Sequence, residues 1–430
     1  MILSMSNVRS VDILAQLRAG RLAGATQLDL RSCGLRELPP EVLALADTLE
    51  MLDLSGNDLT ALPEGFSCLQ QLRVLFCSDN PFTELPSMLG RCAALDIVGF
   101  KACRIEQVPA QALPPALRWL ILTDNRIADL PASLGDCARL QKLMLAGNRL
   151  RRLPTRIADC QRLELVRLAA NQFERAEHAL PDGLLALPRL AWLAHAGNPF
   201  SQARERAAEQ AGAATLIAWS QLTLQNLLGE GASGVIHAAC WQPAGGPAQP
   251  VAVKLFKGAM TSDGLPHCEM AASIAAGTHP NIVAVEGRLA GHPDAAQGLV
   301  LRRIPPGFRN LAGPPSLASC TRDVYADEAR FTATQALAIA GAMAKALAHL
   351  HRRGLAHGDL YGHNILIDDE GGSLLGDFGA ASFLPVDDSQ RDHALQRIDR
   401  RALGWLIDEL AQRCDDPTAL TALRARQLEA

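Results

Sequence analysis

The stretch HGDLYGHNILID, residues 357–368, concentrates polar groups that could carry out chemistry at the start of an apolar segment. It contains Asp359, Asn364 and Asp368, and a further aspartate, Asp377, follows in the short motif DFG. Carboxylate oxygens are natural ligands of hard cations such as Mg²⁺, and a carboxylate can also accept a proton from a hydroxyl group. These residue types at this spacing indicate a candidate phosphotransfer centre.

A glycine-rich segment lies upstream, in LTLQNLLGEGASGVIHAAC, with glycines at 229, 231 and 234. The same glycine spacing occurs in dinucleotide-binding turns, where a helix follows the glycines. Here they are followed by alternating apolar residues, beginning with Val235 and Ile236, and then by VAVK, which ends at Lys254. This pattern predicts a strand, a turn and a return strand rather than a turn into a helix.

Together these motifs resemble the protein kinase family, whose landmarks they match in order over about 150 residues. The resemblance implies a two-lobed α+β domain that uses ATP and Mg²⁺. It implies that Lys254 holds the nucleotide phosphates and that Glu269 pairs with this lysine, with Glu286 as the less favoured partner. It also implies that Asp359 acts as the catalytic base.

The remaining site residues follow from the same resemblance. The implied cofactor-binding residues are Gly229, Gly231, Gly234, Val235, Ala252 and Lys254, and the implied metal ligands are Asn364 and Asp377. His357 is expected to pack beside Phe378, and Asp399 is expected to hold the backbone of the catalytic loop. His363 is expected to be an ordinary loop residue.

The sequence departs from the kinase pattern in the catalytic loop and after it. Gly358 stands where many kinases have an arginine, and Tyr361 replaces the lysine that serine/threonine kinases place two residues after the base. The segment after DFG carries no A-P-E motif, and its hydroxyl residues are Ser382 and Ser389. The short remainder predicts a shortened C-terminal lobe. Three functions therefore stay open: a serine/threonine kinase, a nucleotide-binding pseudokinase scaffold, or a small-molecule phosphotransferase.

The first half of the chain consists of internal repeats that must form a separate element. Leucines at 49, 72, 95, 117, 140, 163 and 190 each open a segment of the form L-x-x-L-x-L-x-x-N-x-L. Copies such as LEMLDLSGNDLTALP and LRWLILTDNRIADLP resemble the leucine-rich repeat family over residues 22–201. Leucines two apart point to the same side of a strand, so they are expected to stack into a shared core. Asparagines follow the strand in six of the repeats, whereas Cys33 and Cys103 occupy this position in two others, and the asparagines are expected to form a ladder of amide hydrogen bonds: Asn57, Asn80, Asn125, Asn148, Asn171 and Asn198.

A curved repeat array presents the strand residues between these leucines on its concave face. These positions hold Asp29, Asp53, Phe76, Gly99, Ile121, Met144, Arg167 and Ala194, with Trp119 and Trp192 two residues earlier in their strands. Aromatic and methionine side chains are typical of protein-binding surfaces, so we expect a protein partner on this face. The alternative is that some of these side chains cover neighbours or contact the second domain.

Composition limits the classes of partner and compartment. The 430 residues carry a formal charge of −4 with a pI near 6.3, which argues against nucleic acid as a partner. Eleven cysteines spread along a long chain are interpreted as reduced thiols, which predicts a cytoplasmic protein. No signal peptide and no membrane span are expected. The alanine-rich composition is associated with a bacterial source.

The predicted fold is an α/β solenoid of leucine-rich repeats followed by the kinase-like domain. The predicted boundaries are an N-terminal cap at 1–21, the repeat array at 22–201, a capping helix and linker at 202–219, and the kinase-like domain at 220–430. The leading functional hypothesis is an atypical, ATP-dependent protein kinase whose repeats select a protein partner and whose substrate is a protein.

Overall fold

The structure is a computed structural model that describes residues 5–211, 216–231, 233–258 and 260–429. The chain divides into two compact units. The first consists of Met1–Val166 and Asn171–Arg189, and the second of Arg167–Ala170 and Leu190–Ala430. The second unit thus begins inside the range 22–201 that we predict for the repeat array. The domain boundaries stay a prediction.

The repeats form very short strands joined by 3-10 helices. Helix α1 comes first, at Met5–Arg18. The strands that follow are β1 Gln27–Asp29, β2 Met51–Asp53, β3 Val74–Phe76, β4 Ile97–Gly99, β5 Trp119–Ile121, β6 Lys142–Met144 and β7 Leu165–Arg167. Two short helices, α2 at Ala176–Ala179 and α3 at Asp182–Leu185, precede strand β8 at Trp192–Ala194. The eight strands form one sheet in sequence order, and β1 to β6 pair in parallel with their neighbours.

The leucine spacing explains this arrangement. The central residue of each strand, such as Leu52 or Leu120, is buried. The two residues that flank it are exposed in β1 and partly exposed in β2, β3, β5 and β6. Six of the connecting 3-10 helices begin directly after a proline. The fixed φ of proline suits the residue that leads into a helical turn. Alternation within the strand and a proline after it therefore set the repeat geometry.

The asparagine ladder predicted from the repeats is present. In the repeat of Asn125, the Nδ2 group donates to the carbonyl oxygens of Phe100 (2.7 Å) and Leu122 (3.0 Å), and Oδ1 accepts from the Ile105 N–H (3.0 Å). Equivalent bonds occur at Asn57, Asn80, Asn148 and Asn171. Each amide thus links its own repeat to the preceding one.

The second unit begins its own sheet soon after helix α4, Pro199–Ala211. Its strands are β9 Leu216–Ala218, β10 Leu222–Glu230, β11 Gly234–Trp241, β12 Gln249–Phe256, β13 Val285–Ala290 and β14 Gly298–Arg302, with helix α5, Pro266–Ala276, between β12 and β13. The sheet order is β10-β11-β12-β14-β13-β9, and β9 pairs with β13 in parallel. Residues 216–218, which we predicted as linker, therefore form an edge strand of this sheet.

The rest of the second unit is mainly helical. Its strands are β15 Arg309–Asn310, β16 Leu355–Ala356, β17 Ile365–Ile367, β18 Ser373–Leu375 and β19 Ser382–Phe383, and its helices are α6 Ala333–Arg352, α7 Ser389–Ala411 and α8 Thr418–Glu429. Helix α6 begins with a capping box in which Thr332 and Gln335 satisfy each other's backbone N–H groups. None of the described helices combines the length and apolar content that a bilayer crossing requires.

Candidate active site

A cavity of about 710 Å³ lies in the second unit beneath the hairpin of β10 and β11. Ile236, Ala252 and Leu301 contribute apolar walls, and Lys254 and Asp377 contribute charged groups. Binding sites for small molecules are mostly apolar with a few polar groups that fix orientation. The cavity therefore suits a ligand with an apolar ring and a charged end.

The glycine segment forms the tip of this hairpin. The Gly231 N–H donates to the Gly234 carbonyl oxygen (2.9 Å), which closes the turn. A Cβ atom on Gly234 would lie 2.5 Å from the Leu255 carbonyl oxygen, so a side chain is excluded there. Gly229 and Gly231 line the cavity, and a Cβ on either would have no atom within 4 Å. The space beside these two glycines is therefore open to a ligand.

The structure places Ile236, rather than Val235, in the cavity lining. Val235 was one of the cofactor-binding residues predicted from the sequence, but it is not among the described residues that line the cavity. Successive side chains of a strand point to opposite faces, so an assignment one residue too early selects the wrong face. Ile236 is the residue of this strand that the geometry favours.

Lys254 and Glu269 are brought together in the cavity wall. Lys254 lies on β12 and Glu269 on α5, and Lys254 Nζ forms an ion pair with Glu269 Oε1 although both side chains are buried. Burial, together with the nearby charge of Asp377, raises the pKa of Glu269 to about 7, although Lys254 opposes this shift. The other candidate, Glu286, instead accepts a hydrogen bond from Arg302 Nε (2.8 Å).

Asp359 is held beside Asn364 in the loop that follows β16. Asn364 Nδ2 donates both to Asp359 Oδ2 (2.8 Å) and to the Asp359 carbonyl oxygen (3.0 Å). Asn364 and Asp377 both line the cavity. Because Asn364 commits its Nδ2 to Asp359, its carbonyl oxygen Oδ1 is the atom that can ligate a cation.

Asp399 on α7 fixes the backbone of this loop, as the sequence predicts. Its Oδ2 accepts from the His357 N–H (2.8 Å) and its Oδ1 from the Gly358 N–H (2.9 Å). His351 Nε2 also lies 3.0 Å from Oδ2. Burial alone would raise the pKa of Asp399, but these hydrogen bonds lower it below its ordinary value. The loop is thus tied to a helix through a buried carboxylate.

His357 has the packing role expected of it. Its ring meets Phe378 edge to face, with 5.2 Å between ring centroids, and its Nε2 lies 3.1 Å from the Gly376 carbonyl oxygen. His363 is more than a loop residue, because its Nδ1 lies 2.7 Å from Asp323 Oδ1 and its side chain lines the cavity. Burial lowers the pKa of His363, but the Asp323 contact outweighs this and raises it.

Two family models match the chain on either side of its midpoint. Residues 222–414 match the family described as protein tyrosine and serine/threonine kinase. The chain carries a protein kinase domain. Residues 24–82 match the family described as leucine rich repeat. The kinase match includes every site residue predicted from the sequence.

Curated relatives are serine/threonine or cyclin-dependent kinases. A probable serine/threonine-protein kinase of Arabidopsis thaliana is 29% identical over 104 residues, which are 24% of this chain and 16% of the relative. One from Dictyostelium discoideum is 27% identical over 156 residues, 35% of this chain and 8% of the relative. Cyclin-dependent kinase C-2 C of Arabidopsis thaliana is 28% identical over 120 residues, which are 28% of this chain and 16% of the relative. The chain thus spans less than a fifth of the length of these relatives.

The kinase domain fits ATP and Mg²⁺ as its cofactors. No cluster of three or more His, Cys, Asp or Glu side chains that could hold a metal occurs among the described residues. Mg²⁺ in phosphotransfer sites, however, is held by one or two protein ligands together with substrate phosphates and water. Asp377 and the Asn364 carbonyl oxygen supply such a pair, and the open glycine backbone with buried Lys254 suits the phosphates.

Gly358 departs from the kinase pattern for a structural reason. Its φ is +71°, a conformation that side-chain-bearing residues rarely adopt. A Cβ atom there would also lie 2.7 Å from both the Ala380 and the Leu193 carbonyl oxygens. The kinase domain therefore has no room for an arginine at this position.

Tyr361 stands where serine/threonine kinases have a lysine, and it is buried and neutral. Its ring stacks on Trp192 with 4.3 Å between centroids and an interplanar angle of 7°. Burial and the charge of Asp359 raise the pKa of Tyr361 well above its ordinary value. Its hydroxyl has no hydrogen-bond partner within the described residues. Tyr361 thus packs against Trp192 and supplies no cation.

Arg167 is a residue of this site that sequence reasoning missed. One of its terminal nitrogens forms an ion pair with Asp359 Oδ1, and its Nε donates to Asp263 Oδ1 (2.6 Å). The repeat pattern led us to predict Arg167 on a partner-binding face. The available signal was its charge, because most of the equivalent strand positions hold apolar residues such as Phe76, Ile121 or Met144.

The two hydroxyl residues of the segment after DFG differ in access. Ser382 is buried, and its Oγ accepts from the His195 N–H (3.0 Å). Ser389 is exposed at the first position of α7. Of these two serines, Ser389 is therefore the one whose hydroxyl another protein can reach.

Proposed function

We propose that the protein is an ATP- and Mg²⁺-dependent protein kinase with an atypical catalytic loop, and that it phosphorylates serine or threonine. One observation carries this proposal: Lys254, Glu269, Asn364 and Asp377 line one cavity of the second unit, and Asn364 donates a hydrogen bond to Asp359. The names of the relatives support serine or threonine as the acceptor.

The roles of the residues follow from their contacts. Bound Mg-ATP supplies the phosphoryl group and a metal ion that offsets its charge. Lys254, held by Glu269, binds phosphate oxygens, and Asn364 and Asp377 hold the metal. Asp359 orients the acceptor hydroxyl and accepts its proton, while Asp399 fixes the loop that carries Asp359. The open space beside Gly229 and Gly231 lets the backbone of the hairpin approach the phosphates.

We further propose that the leucine-rich repeats select a protein partner. Phe76, Ile121, Met144 and Trp119 lie on strands of the first unit with their side chains partly exposed. Solvent-accessible aromatic and methionine side chains are typical of protein-binding surfaces. Eleven cysteines spread along a long chain support the proposal that the protein acts in the cytoplasm, where thiols stay reduced. The shortened C-terminal lobe, the domain boundaries and the bacterial source stay predictions.

A nucleotide-binding pseudokinase scaffold is the second candidate, and the neutral Tyr361 beside the base favours it. The two candidates differ in whether phosphate leaves the bound nucleotide. Both require that the cavity binds ATP, because the glycine hairpin and Lys254 are common to them.

The test is transfer of labelled γ-phosphate from Mg-ATP to the protein and to generic serine and threonine acceptors, with ATP binding measured by calorimetry. Lys254→Met is expected to weaken both binding and transfer, and Asp377→Asn to abolish transfer. Asp369→Asn is the matched control, because Asp369 is an exposed aspartate near the same loop. ATP binding that depends on Lys254, without transfer by the wild type, would replace the kinase with the scaffold.

A further inference from the structure

The kinase domain lacks the usual cation beside its catalytic base. The family places a lysine two residues after the base, and Tyr361 occupies this position as a buried, neutral ring. Asp359 nevertheless has both carboxylate oxygens bound. Asn364 Nδ2 donates to Oδ2 (2.8 Å), and the guanidinium group of Arg167 contacts Oδ1.

Arg167 is anchored at three points. Its Nη2 donates to Asp359 Oδ1, its Nε to Asp263 Oδ1 (2.6 Å) and its Nη1 to the Gly358 carbonyl oxygen (3.3 Å). The side chain is 3% exposed. A planar guanidinium group held by several hydrogen bonds has a fixed orientation, and it imposes that orientation on its partners.

The charges around Arg167 explain why a buried cation is tolerated. Asp359 and Asp263 both contact it, and Asp377 lies close enough to Asp263 to disfavour its ionised form. Lys254, which lies in the cavity wall, is already paired with Glu269. Removing Arg167 would leave the two carboxylates that contact it without this counterion, and buried charges are strongly unfavourable unless paired.

We propose that Arg167 is a positioning residue for phosphotransfer, whose guanidinium group holds Asp359 in place of the missing lysine. The inference rests on the proposed kinase function. Arg167 and Asn364 donate hydrogen bonds to different oxygens of the Asp359 carboxylate and thereby fix its plane. Each carboxylate oxygen has two acceptor sites, so Asp359 can still accept a hydrogen bond from an acceptor hydroxyl. The opposite possibility, that Arg167 obstructs Asp359, gives the opposite result in the test.

The test compares steady-state phosphotransfer by the full chain with Arg167→Met and Arg167→Lys. Arg167→Met keeps the length of the side chain and removes its charge, whereas Arg167→Lys keeps the charge and removes the planar fork. We expect Arg167→Met to lower kcat about 100-fold, since misplacing a catalytic group by about 1 Å has effects of this size. The KM for ATP should stay within about twofold, and Arg167→Lys should recover about tenfold in kcat.

The control is Arg73→Met, which breaks an ion pair between an arginine and an aspartate, Arg73 and Asp96, in the first unit. This variant should keep the wild-type kcat. Equal or higher activity in Arg167→Met would overturn the positioning role and leave the kinase function intact. A wild-type rate no higher than that of Asp359→Asn would remove the kinase function and, with it, this inference.

Asp263→Asn and Arg167→Lys together test the inference if Arg167→Met does not fold. Asp263→Asn releases one of the three anchors of Arg167 but keeps its charge, and it should lower kcat about tenfold with unchanged KM for ATP. Thermal unfolding and ATP binding show whether each variant is folded. Wild-type kcat in both Asp263→Asn and Arg167→Lys would overturn the inference.

Discussion

At the scale of single residues, the departures from the kinase pattern have local structural causes. Gly358 has a left-handed backbone conformation in a space bounded by two carbonyl oxygens, and Tyr361 is stacked on Trp192. Both replace a basic residue of the family pattern. The loop is therefore built on packing and on Asp399, with Arg167 as the cation that contacts Asp359.

Gly358→Ala should destabilise the second unit by more than about 2 kcal/mol, because a left-handed residue with a side chain costs about 1–2 kcal/mol before any clash is counted. Gly245→Ala separates the backbone strain from the steric clash, since Gly245 has a φ of +77° but no atom within 4 Å of its Cβ position. The Gly245→Ala variant should lose only about 1 kcal/mol of unfolding free energy. Urea unfolding followed by circular dichroism measures both, and equal losses would contradict the proposed clash.

His195 should make the protein sensitive to acid. It is 1% exposed, its ring nitrogens have no hydrogen-bond partner among the described residues, and burial lowers its pKa to about 4. Between about pH 6.5 and pH 4 the unfolded chain binds a proton that the folded protein excludes. Stability should therefore fall by up to about 3 kcal/mol as the pH falls through this window.

His195→Leu should remove this part of the pH dependence. Leucine is apolar and leaves no group to protonate, so the variant should be more stable than the wild type near pH 4.5. Exposed His178→Leu is the control and should keep the wild-type slope. Urea unfolding at several pH values measures the slopes, and identical slopes for wild type and His195→Leu would contradict the account.

At the scale of elements, the strands of the repeats and the hairpin of β10 and β11 could be predicted because apolar residues recur at every second position in them. The register within a strand is less certain from sequence, as Val235 and Ile236 show. The edge strand β9 could not be predicted, since it has only three residues and pairs with β13, about 70 residues further along the chain. Such pairing depends on tertiary contacts rather than on local pattern.

Asn125→Ala tests the asparagine ladder as the device that joins successive repeats. It removes the acceptor of the Ile105 N–H and the donor to the Phe100 and Leu122 carbonyl oxygens, which are groups of buried residues. Leaving such groups unpaired costs about 1–3 kcal/mol, and the first unit should lose at least about 2 kcal/mol. Exposed Arg139→Ala should change stability by less than about 0.5 kcal/mol. Equal urea midpoints for the two variants would contradict the ladder's role.

At the scale of the whole molecule, the second compact unit is larger than the kinase match. The match covers residues 222–414, whereas the unit includes Arg167–Ala170 and continues from Leu190. Sequence motifs predicted Lys254, Asp359 and Asp377 as site residues because these three belong to ordered landmarks. They could not identify Arg167, which is 192 residues from Asp359 and belongs to the leucine-rich repeat pattern rather than to the kinase landmarks. Its role follows only from three-dimensional contacts.

The most direct test of the account is the initial rate of γ-phosphate transfer from Mg-ATP by the purified full chain, wild type against Asp359→Asn. The substitution keeps the size of the side chain but removes the base. We expect a rate about 100-fold lower in the variant, with ATP affinity within about twofold of wild type. Equal rates in the two proteins, or no transfer by a wild type that binds ATP, would contradict the account.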